Sequence, residues 1–153
     1  MKAFNIFIAL TLCLAYATAQ NTASINAGFK TMANTNFILK TAAYNLGEQP
    51  ANITAGNTDA NGNLQINLNL GGGGVPLTLS LGNYDINLFI TVGDSVYMTS
   101  EGNDFYNGLK FSGIGAEANG LIHASFLKFE KPEMDEAIKI SAADKSDPVS
   151  GFI

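Results

Sequence analysis

The chain has one histidine, His123, and it stands two residues before a hydroxyl, Ser125. With no cysteine beyond position 13, a Ser-His-acid relay is the only histidine-based nucleophilic constellation the composition leaves open. On a strand over Leu121 to Phe129, His123 and Ser125 project to one face with Leu121, Leu127 and Phe129, and neighbours so placed do not meet as base and nucleophile. No G-x-S-x-G elbow is present to expose a serine. His123 therefore reads as a structural or surface side chain. The carboxylate pairs Glu101 with Asp104 and Glu130 with Glu133 suggest acid-base work of the glycosidase type. That chemistry needs two carboxyls held across a cleft of fixed width, usually beside aromatic platforms. The chain has no tryptophan, and a solvated charged face is the simpler reading.

Two further stretches imitate ligand sites. Asp59-Ala60-Asn61-Gly62-Asn63 starts like a calcium loop, but the sixth position is Leu64 where glycine is needed and the twelfth is Leu70 where a bidentate glutamate is needed. It reads as a tight turn, since Asn and Gly both tolerate positive φ. The run Gly71 to Gly74 has no lysine or hydroxyl at phosphate-loop spacing and leads into a strand, which makes it a flexible hairpin connection. The expectation is no catalytic residue, no metal and no cofactor, hence a protein that is not an enzyme. Asn52-Ile53-Thr54 is the only N-x-[ST] sequon, and Asn52 is the expected glycosylation acceptor on a surface turn.

The elements that must carry these residues begin after a leader. Lys2, the apolar run Phe4 to Ala15 and the triplet Ala17-Thr18-Ala19 have the order of a secretory signal peptide, which places cleavage after residue 19 and the protein outside the cell. The apolar run has 12 residues against the roughly 20 that a bilayer crossing needs, so no membrane span is expected after cleavage. The remaining residues, 20–153, are the length of one domain. Its only cysteine, Cys13, leaves with the leader, so an exported fold must hold by packing alone. Losing Lys2 leaves seven lysines against thirteen acids, a net charge of −6 with no arginine, which argues against nucleic acid as a partner.

Asn63 to Leu70 reads N-L-Q-I-N-L-N-L, a period of two with Leu64, Ile66, Leu68 and Leu70 on one face. Leu77, Leu79 and Leu81 continue the alternation after the glycines, and Tyr84, Ile86, Leu88 and Ile90 share a face after Gly82-Asn83. Val96 to Thr99, Phe105 to Ile114 and Leu121 to Phe129 complete the strand pattern, and Phe37 to Tyr44 fits one as well. Ile25, Phe29 and Met32 are spaced like a helix face, and Pro132 with its following acids opens a second short helix. Residues 52–63 read as the longest loop and 142–153 as a loose tail.

These patterns predict a mainly β fold, an antiparallel sandwich or barrel of six to eight strands with one or two short helices. The lipocalin pattern is not met, since the tryptophan, closing arginine and disulfide of that group are all missing. The leading functional expectation is a secreted, non-enzymatic protein that binds a small apolar molecule. Leu64, Ile66, Leu68, Leu77, Leu79, Ile86 and Leu88 would form its pocket wall or core. The alternatives are a self-associating matrix or coat protein, whose support is the polar amide faces opposite the aliphatic ones, and a secreted effector or defence protein.

Overall fold

From Asn63 to Asn69 the chain resolves its two-residue period by extending: Leu64, Ile66 and Leu68 are buried while the four amides that alternate with them face solvent. The computed structural model describes residues 21–42, 49–101 and 104–146, with side chains as far as 141. The leader 1–19 and the end of the tail, 147–153, lie outside the described residues. Among the described residues there are eight strands: β1 (Thr22–Gly28), β2 (Asn36–Thr41), β3 (Asn52–Asn57), β4 (Asn63–Asn69), β5 (Gly74–Leu81), β6 (Tyr84–Thr91), β7 (Ser95–Ser100) and β8 (Leu109–Ile114). They form two four-stranded sheets in the orders β4-β1-β7-β8 and β3-β2-β5-β6. The arrangement is the expected sandwich, and no sheet closes into a barrel. Every pairing is antiparallel except β1 with β7, which run parallel.

The inner faces make one core. Ile25, Leu64, Ile66, Val96 and Met98 come from the first sheet, and Leu39, Leu77, Leu79, Ile86, Leu88 and Ile90 from the second. All seven residues expected as pocket wall or core lie in this layer. At about 25 cal/mol per Å² of apolar surface removed from water, such a layer is the main stabilising term in a domain with no disulfide.

After β8 the chain turns helical: α1 (Ala116–Ser125), a π turn (Phe126–Glu130) and α2 (Lys131–Ser146) follow without a break. This corrects the strand expected over Leu121 to Phe129. That segment holds one β-branched residue, Ile122, and follows the helix formers Ala116-Glu117-Ala118. The buried members of α1, Asn119 and His123, are four apart, a helical spacing. The helix begins sixteen residues before Pro132 and continues through Ser146, past the point where the tail was expected to start.

Two other expectations need correcting. The N-terminal segment is a strand, because Ala23 and Ala27 alternate inward with Ile25, and small alanines had hidden the period of two. The loop expected over 52–63 contains β3, whose burial is slight and whose pairing with β2 sets Gly56 against the Phe37 ring.

Only the turn 58–62 remains of that loop, and it is built by Asp59. Its carboxylate accepts from the N–H groups of Asn61 (2.8 Å) and Asn63 (2.7 Å) and from Asn63 Nδ2 (2.9 Å). The Asn63 donors hold the Asp59 carboxyl below the usual carboxylate range. Gly62 follows at φ 78°, and a Cβ there would lie 2.0 Å from the Phe29 carbonyl oxygen. Gly62→Ala is therefore expected to cost about 2 kcal/mol or more, read as a lower urea midpoint at unchanged slope. Because the Asp59 carboxyl is depressed in the folded chain, its contribution is present above the unfolded value near 3.9 and is lost as pH falls through the folded one. Asp59→Ala should lower Tm at pH 7 and converge with the parent chain at pH 2, as thermal melts across that range would record.

Candidate functional site

The helix is fixed to the sandwich by a connected set of rings. Phe29 meets Phe105 at 5.3 Å, Tyr84 stacks on Phe105 at 4.3 Å, and Tyr106 meets Phe126 at 4.8 Å. His123 lies between Phe111 and Phe126, and its Nε2 donates to the Tyr106 carbonyl oxygen at 2.7 Å. The histidine is thus a packing residue with a polar tether. Ser125, two residues on, stands about 200° round the helix axis, so no relay forms with it. Glu101 is paired with Lys110 at 3.0 Å, which holds its carboxyl low. Asp104 accepts from Asn107 and lies 3.4 Å from Lys131, and those contacts lower it too. Neither acid of that pair is free to act as the partner of the other. Among the described residues no group of three or more His, Cys, Asp or Glu side chains could hold a metal.

The helix also completes an edge. Three of the four outward N–H groups of β6 are taken by side chains: the Asp85 N–H donates to Tyr106 Oη (3.1 Å), that of Phe89 to Asn119 Oδ1 (2.8 Å) and that of Thr91 to Asp94 Oδ2 (2.7 Å). Asn119 Nδ2 returns a bond to the Phe89 carbonyl (3.0 Å) and another to that of Gly115 (2.8 Å). Its side-chain amide thereby pairs with β6 as a neighbouring strand would.

Where the helix leaves that edge it stands away from the outer face of the second sheet, and a groove of about 600 Å³ opens between them. The helical wall is Phe126, Glu130 and Met134, an i, i+4 row, with Tyr106 at its base. Ile138, one turn further, is 59% exposed and extends the apolar row. The sheet side presents Lys40, Thr78, Asp85 and Asn87. Lys40 makes no ion pair among the described residues. Ser80 Oγ donates to Asp85 Oδ1 at 2.5 Å, and Thr78 Oγ1 donates to Asn87 Oδ1 at 3.3 Å. Burial pushes the Tyr106 phenol up, so it stays protonated across the physiological range. Its oxygen already accepts from the Asp85 N–H, which leaves the hydroxyl hydrogen as a donor at a residue that lines the groove.

A second cleft, about 580 Å³, runs along the opposite flank between the β3 and β4 edges and is lined by Phe37, Ile53, Ile66, Leu68 and Leu70 among others. Of the seven expected pocket residues, Ile66 and Leu68 reach this cleft from the core; none lines the groove. Asn52 is exposed at the first position of β3. The groove residues escaped sequence reasoning because they come from β2, β5, β6, the β7–β8 connection and the helix, with no shared motif. The i, i+4 repeat Phe126-Glu130-Met134-Ile138 was the one available signal.

The fold and groove define a β-sandwich domain with one flank closed by a long helix. No family model, curated protein or solved structure matches the chain.

If Asn119 acts as the strand surrogate, Asn119→Ala leaves the Phe89 N–H and C=O without partners and should cost about 1–3 kcal/mol. Native-state hydrogen exchange would then show the Phe89 amide accelerated more than those of the central strands β1 and β2.

Proposed function

We propose that this chain is a secreted, non-enzymatic binding protein whose ligand is a small amphiphile seated in the groove between the helix and the second sheet. The observation that carries the reading is the two-sided lining. Phe126, Met134 and Tyr106 offer an apolar wall, and Lys40, Asp85 and Asn87 oppose it with groups that a polar head can bond. About 600 Å³ is within the usual size of small-molecule sites. The interior between the sheets offers less to a ligand, because the seven aliphatic residues expected there are each at most 6% exposed and in mutual contact. Export rests on the leader pattern, and the absence of a catalytic constellation rests on the scattered placement of His123, Ser125 and the carboxylates.

Thermal melts with twelve-carbon chains bearing carboxylate, ammonium or neutral sugar heads, below their micellar concentrations, test the reading. At least one head should raise Tm in a saturable way. Met134→Asp should weaken that probe tenfold or more, and Lys40→Ala should change the preference among heads. A flat response to all three heads, or undiminished binding by a folded Met134→Asp variant, would overturn it.

A further inference from the structure

We propose that two copies of this chain associate by antiparallel pairing of their β4 edges about a two-fold axis through Ile66, which fuses the two β4-β1-β7-β8 sheets into one. The first support is the asymmetry of the edges. Three of the four outward N–H groups of β6 are capped by Tyr106, Asn119 and Asp94, and β8 is followed directly by the helix. β3 is irregular, its register with β2 shifting between Leu39 and Lys40. β4 instead pairs with β1 in unbroken register from Asn63 to Asn69, with no proline, no bulge and no charge. Proline, bulges and charges are among the devices that ordinarily blunt a natural edge, together with cover by a helix or loop.

The direction of the free backbone groups follows from the ends of the ladder. Leu70 N–H donates to the Asn21 carbonyl and Phe29 N–H to that of Gly62, so the rungs bonded to β1 fall on Leu64, Ile66 and Leu68. Gln65, Asn67 and Asn69 therefore turn their N–H and C=O groups away from β1. Those of Asn63 are used by the Asp59 turn, which accepts and donates on that same outer side. No bond to the outward groups of Gln65 or Asn67 is found among the described residues.

The second support is that the strand complements itself. N-L-Q-I-N-L-N reads nearly the same in both directions about Ile66, so a two-fold sets Leu64 beside Leu68 of the partner copy and Gln65 beside its Asn67. Gln65 and Asn67 then exchange backbone N–H···O=C bonds, and their side-chain amides face each other on the solvent side. The absence of charge along the seam admits a second copy. The chain is acidic, yet no charged residue occurs from Ala60 to Tyr84, and β1 beside the seam carries none, so no like charges meet. Ile53, 44% exposed on the adjacent β3 edge, would be covered beneath the seam.

The groove uses no residue of β4, so this inference stands or falls separately from the proposed ligand. Analytical ultracentrifugation of the protein over a wide concentration range tests it, with circular dichroism confirming that each variant is folded. The parent chain should show a monomer–dimer equilibrium. Gln65→Lys with Asn67→Lys puts like charges opposite each other twice and should weaken the dimer tenfold or more. Gln65→Lys with Asn67→Glu sets an ammonium of each copy opposite a carboxylate of the other and should restore it. A parent chain that stays monomeric, a dimer indifferent to the double lysine, or a charge-swapped variant that is folded yet monomeric would each overturn the proposal.

Discussion

The interaction on which the rest of the architecture depends is the one between the Asn119 side chain and the backbone of Phe89. A sandwich has four lateral edges, and each presents unpaired backbone groups that must be covered, blunted or bonded. Here one asparagine on a helix supplies both an acceptor and a donor to β6, at a residue that is itself wholly buried. The geometry forces the helix to run beside β6. Once the helix runs there, His123 and Phe126 fall against Tyr106, and the ring set from Phe29 to Phe126 closes that end of the core. The groove follows from the same constraint. A helix held at the sheet's edge, then loosened by a π turn, leaves a gap over the outer face of the strands it passes.

The glycines at the start of the helix serve the same junction. Gly115 takes φ 88°, and a Cβ there would lie 2.6 Å from the Asp94 carboxyl carbon, which is engaged with Thr91 N–H. Gly113, also at φ 88°, passes so close to the Ser95 carbonyl that a side chain would collide with it. Three chain segments, the end of β6, the β6–β7 turn and the helix start, therefore meet through backbone approach that only glycine permits. None of this has a periodic signature.

Much of the sheet layout was legible in the residues because β4, β5 and β6 alternate aliphatic with polar residues over seven or eight positions, and a half-buried strand is the only element that satisfies that period. β1 was missed because alanine fills two inward positions, and β3 because its Asn, Thr, Ala and Gly bury little and its one large apolar residue, Ile53, faces outward. The helix was misread for a different reason. Leu121, Leu127 and Phe129 mimic alternation, yet Leu121 and Phe129 are 65% and 61% exposed, and the residue that anchors the segment is a polar one, Asn119. A side chain chosen to bond a backbone is invisible to an analysis of hydrophobic period. The groove was illegible for a related reason, since its polar and apolar walls come from elements distant in sequence.

The two flanks of the sandwich pose one problem and solve it oppositely. On the β6–β8 side, polar side chains from the helix region satisfy the edge, and the cost is an exposed apolar row beyond Met134 where the helix outruns the sheet. On the β3–β4 side no element among the described residues covers β4, although a domain without disulfides gains from hiding its backbone groups. An uncovered strand with a charge or a proline would be explained as a protected edge. An uncovered strand free of both, regular in register, uncharged and near-palindromic, is the one edge of the four that complements a second copy of itself, which is the ground of the proposed pairing.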